Sequence, residues 1–199
     1  HGKATHVSTP HLGVDALYIA SQIVVAVQGL VTRRTSPTEP VIIGIGKLNA
    51  GTTYNAVAAF AEMEGTTRTI SQESRDRVRA QVSETAQSIA ALYGGTAEVE
   101  WTDFAAALVN DPQVCEEAAR VVDELLGAGH VVTDRELSLS GDNFAEFELY
   151  KPGAYAYLGT GNPNLPHTMI TNHNGGFDVD ENALVTGAGL YVGYTVARL

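Results

Sequence analysis

Apolar residues recur at three- and four-residue spacing along the first part of the chain. They begin at Val14, continue to Val31, and are followed by the helix breakers Pro37 and Pro40. This spacing matches the period of an amphipathic α-helix, which proline cannot continue. The pattern therefore predicts one helix from Gly13 to Arg33.

Two stretches after this helix have the composition of strands, namely Val41–Leu48 and Phe60–Ile70. Shorter strands are predicted around Gly2–Ser8 and at Ala97–Thr102. Between the predicted strands Phe60–Ile70 and Ala97–Thr102, the sequence S-Q-E-S at residues 71–74 places a serine cap and an acidic group where the start of a helix favours them. That helix should end at the glycine pair at residues 94–95.

The predicted order of these elements is β-α-β-β-α-β, the order of a ferredoxin-like sandwich. We therefore predict an α+β domain over residues 1–104, in a chain of the α/β class.

The remaining residues, 105–199, alternate helices and short strands. Helices are predicted at Asp111–Leu126 and Asp180–Leu199, the second capped by Asp178 or Asp180, and strands at Leu137–Leu139 and Ala154–Leu158. Two or three strands are few for an independent parallel sheet covered on both faces. We expect an incomplete α/β segment that depends on polypeptide outside these 199 residues.

Composition narrows the possible partners and location. The net charge of −11 repels phosphate backbones and argues against nucleic-acid binding. Apolar runs such as Ile19–Val27 are shorter than the roughly 20 residues of a membrane span, so no membrane anchor is expected. Cys115 is the single cysteine, which excludes an intrachain disulfide and fits a cytoplasmic protein.

Several short motifs suggest a chemistry. They are H-G-K-A-T-H at residues 1–6 with P-H-L-G-V-D at 10–15, A-G-T-T-Y-N at 50–55, E-G-T-T-R-T at 64–69 and N-H-N-G-G-F-D-V-D at 172–180. With these motifs the chain resembles zinc- or manganese-dependent amidohydrolases of the aminoacylase/carboxypeptidase superfamily, which include hippurate hydrolase, N-acyl-amino-acid and auxin-conjugate amidohydrolases, and aminobenzoyl-glutamate hydrolases. The resemblance covers essentially the whole chain. It implies a lid, or dimerisation, domain at 1–104, followed by the C-terminal part of the catalytic domain at 105–199.

Three places depart from the motifs of that family. Ala4 and Thr5 stand where a glycine pair is usual, Ala58 stands where a proline is usual, and S-G-D-N-F at residues 140–144 replaces G-G-E-D-F. The change at residues 140–144 leaves any role of that loop open.

The resemblance implies roles for four side chains. His6 would act catalytically, donating to the tetrahedral oxygen in the active site of the partner subunit, which suits an imidazole. Arg68 would bind a substrate carboxylate through two parallel bonds, with Asn55 beside it. His173 would be a metal ligand. Without the motifs, His6 reads as a surface histidine, Arg68 as a surface ion-pair residue and Asn55 as a turn residue.

The other ionisable residues are interpreted without a catalytic role. Glu116 and Glu117 lie inside a predicted helix, where adjacent side chains point about 100° apart, so we do not assign them a catalytic role. His167 and His130 are interpreted as exposed residues and Cys115 as a small buried one. No further metal-ligand motif, phosphate loop or serine elbow appears.

The sequence therefore predicts a fragment of a metal-dependent amidohydrolase that cleaves N-acyl-amino acids with metal-activated water. The intact enzyme would hold two divalent ions, zinc or manganese, of which this chain provides one ligand. The N-terminal part of the catalytic domain would be missing, so the fragment alone is expected to be inactive. A homodimer is expected through the helix Asp15–Val31 and the edge strand Val41–Leu48. The alternative is a non-catalytic dimerisation or binding module that keeps the fold.

Overall fold

In the computed structural model, which describes residues 1–199, the chain divides into two units. Unit 1 comprises His1–Ala107 and Ser138–Ala145, and unit 2 comprises Leu108–Leu137 and Glu146–Leu199. The sequence suggests one change of character after residue 104 and gives no sign that residues 138–145 return to unit 1. As functional domains, residues 1–104 and 105–199 remain a prediction.

Unit 1 contains two long helices and two strands. Their bounds are α1, Ala16–Arg33; β1, Ile42–Ala50; β2, Ala61–Arg68; and α2, Gln72–Leu92, preceded by a short 3-10 turn at Pro10–Leu12. Unit 2 contains the helices α3, Pro112–Leu126, and α5, Asn182–Ala197, with a 3-10 turn at Pro166–Met169. Between them, a four-residue helix, α4, spans Ala145–Glu148 where the chain passes from unit 1 back to unit 2. The predicted α/β class is confirmed.

Each long helix of unit 1 begins at a polar side chain that satisfies its first free amides. The Asp15 carboxylate accepts from Leu17 N at 3.0 Å and from Tyr18 N at 3.1 Å. The Ser71 hydroxyl accepts from Ser74 N at 3.1 Å, which confirms the predicted cap of α2. Because these amides have no partner inside the helix, the caps fix where each helix starts.

The core of unit 1 lies between α1, α2 and β1. Val27 is fully buried and Val78 is 1% exposed. The other buried members of this cluster are Ile19, Ile23, Leu30, Val41, Ile43, Ala86 and Ala90. By length and composition α1 could also cross a membrane, with a mean hydropathy of 1.3, but a core helix meets the same test and a third of α1 is buried. The expected lack of a membrane partner remains a prediction.

The sheet of unit 1 contains only two hydrogen-bonded strands. β1 and β2 pair antiparallel from Ile42 opposite Arg68 to Ala50 opposite Ala61, with one irregularity between Ile45 and Lys47. The segment Ala97–Thr102, predicted as a strand, makes no ladder, although its apolar side chains pack against the core.

The predicted strand at Gly2–Ser8 is also absent, because its hydrogen bonds go to several separate segments. Lys3 pairs with Val14, whereas Gly2 N donates to Ala59 O at 2.7 Å. The close approach explains two motif glycines: a Cβ on Gly2 would lie 2.2 Å from Val14 O, and one on Gly13 would lie 2.7 Å from Lys3 O. These glycines serve the backbone packing of the domain.

Unit 2 is built on the pair α3 and α5. Asp111 caps α3 by accepting from Val114 N at 3.0 Å, which confirms the predicted start. The helices approach closely where α5 carries glycines, since a Cβ on Gly193 would lie 2.8 Å from Cγ1 of Val121. At the start of α5, Asp180 Oδ1 accepts from Asn182 N at 3.0 Å, and Glu181 occupies the cap position without a side-chain bond. The predicted cap at Asp178 or Asp180 is thus displaced.

Neither strand predicted in unit 2, Leu137–Leu139 or Ala154–Leu158, is present. In the second segment the side chain of Asn110 satisfies the backbone instead. Its Oδ1 accepts from Tyr155 N at 2.8 Å and its Nδ2 donates to Tyr155 O at 3.1 Å. One amide side chain therefore supplies the pair of bonds that a neighbouring strand would provide.

Candidate substrate-binding and metal-ligating residues

Backbone pairing brings His6 and Asn55 together in unit 1. His6 forms an isolated antiparallel bridge with Ala56. On either side of it, Val7 N donates to Asn55 O at 3.1 Å and Val57 N donates to Thr5 O at 2.9 Å. Two predicted site residues from motifs almost fifty positions apart therefore lie on adjoining segments.

The ring of His6 is exposed and hydrogen-bonded on one side only. Its Nδ1 lies 2.7 Å from Ser8 Oγ and accepts from Ser8 N at 3.2 Å. The other ring nitrogen, Nε2, makes no hydrogen bond within the chain. The arrangement leaves one ring nitrogen available to a ligand or to a partner molecule.

Asn55 lies at the end of a turn that begins at Gly51, whose φ of 76° favours glycine. Its side-chain oxygen accepts from Thr53 Oγ1 at 3.2 Å. Asn55 is exposed, and this bond fixes the amide while its nitrogen keeps its capacity to donate. The neighbouring Tyr54 is 96% exposed, so the turn presents both a donor and an aromatic ring to solvent.

Arg68 lies at the opposite end of the β1–β2 hairpin from Asn55. Ala61 pairs with Ala50 beside the turn, whereas Arg68 pairs with Ile42. The seven residue-to-residue steps from Ala61 to Arg68 span roughly 23 Å at about 3.3 Å per step. The expectation that Asn55 lies beside Arg68 is therefore not met within one chain, because the extended strand separates them.

Arg68 instead lies near the loop whose sequence departs from the amidohydrolase motif. A Cβ on Gly141 would lie 3.1 Å from the Nη1 atom of Arg68. Both residues belong to unit 1. The return of the Ser138–Ala145 segment to unit 1 therefore shapes the surroundings of this guanidinium, a contact that sequence spacing does not reveal.

His173 lies in an exposed turn of unit 2. It is the one non-glycine residue of the chain with a positive φ, 60°, a conformation that histidine adopts more readily than most residues. The expected exposure of His167 is confirmed; its Nε2 lies 3.7 Å from Asp178 Oδ2. No three His, Cys, Asp or Glu residues come close enough to hold a metal ion. The side chains of this chain therefore do not form a metal centre by themselves.

The acidic pair Glu116–Glu117 has a structural use. The Glu117 carboxylate accepts from Gln113 at 3.1 Å, from Tyr194 Oη at 3.2 Å and from Arg198 at 2.7 Å. The bond from Gln113 contributes most to lowering the pKa of Glu117, and burial raises the pKa of Tyr194. These contacts tie α3 to α5 and support the expectation that the pair is not catalytic.

Comparison with known proteins places these residues in context. Residues 1–94 match the family described as the peptidase dimerisation domain, M20_dimer. The chain is 33% identical over 189 residues to thermostable carboxypeptidase 1 of Saccharolobus solfataricus, covering 94% of this chain and 47% of that protein. It is 32% identical over 184 residues to the N-acetyl-L-cysteine deacetylase of Bacillus subtilis, covering 92% and 42%. The chain thus spans about half the length of the curated relatives it matches.

Solved structures show the same fold. A protein of methicillin-resistant Staphylococcus aureus, provisionally described as an aminohydrolase, superposes with a TM-score of 0.88 at 27% identity, covering 99% of this chain and 50% of that one. The Bacillus subtilis YXEP protein, described as a dinuclear metal binding peptidase from the M20 family, gives a TM-score of 0.76 at 26% identity, covering 99% and 49%.

Proposed function

We propose that this chain, whose residues 1–94 match the M20 peptidase dimerisation domain family, is the dimerising lid and C-terminal segment of a metal-dependent amidohydrolase. The proposed reaction is hydrolysis of the amide bond of N-acyl-amino acids. The N-acetylcysteine deacetylases among the relatives support this class of substrate.

The observation that carries the proposal is the meeting of His6 and Asn55. Hydrolysis of an amide develops negative charge on the carbonyl oxygen, and donors aimed at that oxygen stabilise the transition state. Within unit 1, the backbone bond between Val7 and Asn55 holds an imidazole and an amide donor on adjoining exposed segments. Each of these exposed donors is available to a substrate, the imidazole to a carbonyl oxygen and the amide to another polar group.

Divalent metals would activate the attacking water in the whole protein. This chain offers His173 toward them, whereas its remaining side chains do not complete a site. Because functional sites of this kind use three or more protein ligands, we expect the 199-residue chain alone to be inactive and the remaining ligands to lie outside it. We propose zinc or manganese as the metal and the cytoplasm as the location.

A dimer follows from the same assignment. On α1, apolar side chains remain exposed opposite the core, with Leu17 at 47%, Tyr18 at 47% and Val25 at 71% exposure. A two-stranded sheet also leaves an unpaired edge on each strand. A second copy that covers α1 and pairs with β1 would bury both features in one two-fold contact.

The test is hydrolysis of hippurate and N-acetyl amino acids by the whole protein supplied with zinc or manganese. His6→Ala should lower kcat by about 100- to 1000-fold, as expected when one oxyanion donor is removed. His130→Ala is the matched control, because His130 is exposed and contacts only Gly127 O, and it should retain full activity. No hydrolysis by the wild-type protein would instead favour a non-catalytic dimerisation module.

A further inference from the structure

The side chain of His6 is fixed by its near neighbour Ser8. The hydroxyl of Ser8 lies 2.7 Å from His6 Nδ1, and the Ser8 backbone amide donates to the same atom at 3.2 Å. The turn that brings them together is itself held, since Thr9 N donates to His6 O at 2.9 Å and Thr9 Oγ1 donates to it at 3.2 Å. The backbone of His6 also pairs with Ala56.

These contacts determine which ring nitrogen carries the proton. A backbone N–H can only donate, so Nδ1 of His6 must accept through its lone pair. A neutral imidazole that accepts at one nitrogen is protonated at the other. The neutral ring therefore exists as the Nε2–H tautomer, and Nε2 is the atom that makes no bond within the chain.

We propose that Ser8 is a positioning residue for the hydrolytic reaction: it holds the His6 ring in the Nε2–H tautomer and keeps that single donor directed away from the turn. The use of the Nε2–H donor in hydrolysis rests on the proposed function, whereas the tautomer of His6 does not. With the opposite tautomer, His6 would present a lone pair at Nε2 and could not stabilise a negatively charged oxygen.

A second histidine of the chain gives an internal contrast. Nδ1 of His130 lies 3.0 Å from Gly127 O. A carbonyl oxygen can only accept, so His130 must donate from Nδ1. The two exposed histidines are therefore expected to hold opposite tautomers when neutral, and the difference comes only from their neighbours.

The first test is long-range ¹H–¹⁵N correlation NMR of the protein labelled on histidine, at a pH where both rings are neutral. We expect a protonated Nε2 for His6 and a protonated Nδ1 for His130. Ser8→Ala removes the hydroxyl but keeps the backbone amide, so it should increase the Nδ1–H fraction of His6 only in part and leave His130 unchanged, whereas Ser8→Thr should behave as wild type. A protonated Nδ1 on His6, or the same tautomer fraction in wild type and Ser8→Ala, would overturn the inference.

The second test is kinetic and uses the whole protein with its metal. Loss of one hydrogen bond to the ring should reduce kcat by roughly 2- to 10-fold in Ser8→Ala with KM unchanged, and Ser8→Thr should restore it. An unchanged kcat beside a changed tautomer would reject the positioning role. If the wild-type protein hydrolyses no N-acyl-amino acid, the proposed function fails while the NMR experiment still decides the tautomer.

Discussion

At the scale of single residues, the motifs mix positions that we propose to bind substrate with positions that the fold requires. Gly2 and Gly13 allow backbone segments to meet at distances that a Cβ would forbid, whereas His6 and Asn55 are exposed. Sequence alone identified all of these residues but could not separate the two uses. The contact between Ser8 and His6 had no sequence signal, since a serine two residues after a histidine is common in turns.

The Asp15 cap gives a prediction at this scale. Asp15→Ala removes the acceptor for Leu17 N and Tyr18 N, and should lower the free energy of unfolding by about 0.5–2 kcal/mol. Urea denaturation followed by circular dichroism measures this loss. Asp15→Asn keeps an acceptor and should remain within a few tenths of wild type; an equal loss in both variants would show that charge, and not the cap, matters.

Glu39 gives a prediction about pH. Ser74 and then Arg77 donate to its carboxylate and lower its pKa below the ordinary value of 4.5. A carboxylate with a depressed folded pKa contributes stability that is complete above the unfolded pKa and is lost as pH falls through the folded one. The urea midpoint should therefore drop as pH falls below about 4.5, and less steeply in Glu39→Gln.

The control for Glu39 is Glu84→Gln on the exposed face of α2. This variant should reproduce the wild-type dependence on pH between 7 and 3. If Glu39→Gln shows the same slope as wild type, other carboxylates account for the acid sensitivity of the fold.

At the scale of elements, the helices were predictable and the edge strands were not. Helical periodicity and caps are local, so the sequence placed α1, α2 and α3 within a few residues. A strand depends on a distant partner, and here separate segments and side chains satisfy the backbone of Gly2–Ser8 and Ala154–Leu158. The two strands of the hairpin β1–β2 were predicted correctly because both partners lie close together in sequence.

The packing of α1 gives a prediction at this scale. Val27 is fully buried at the centre of the core, and Val27→Ala should lower the free energy of unfolding by about 2 kcal/mol through lost burial and a residual cavity. Val132 lies in an irregular segment and is 75% exposed, so Val132→Ala should change stability by less than about 0.5 kcal/mol. Urea unfolding of both variants checks this; similar losses would place α1 outside the core.

At the scale of the whole molecule, each of the two units carries some of the proposed site residues. Unit 1 presents His6 and Asn55, and unit 2 presents His173. The sequence predicted these residues through the resemblance of their motifs. It did not predict the distance between Asn55 and Arg68, because only the strand register fixes it.

The central claim is that His6 acts in the site of the partner subunit, whereas His173 serves the site of its own chain. Whole proteins carrying His6→Ala and His173→Ala should each be nearly inactive against N-acetyl amino acids. In a mixed dimer, however, one site would combine an intact His173 with the His6 of the other chain.

Subunit mixing therefore tests the claim most directly. Random exchange makes half of the dimers mixed with one intact site of two, so activity should recover to about one quarter of the wild-type level. Recovery must also depend on time and on conditions that allow subunits to exchange. If the mixture remains as inactive as the separate variants after exchange is complete, the two histidines do not serve one site across a dimer.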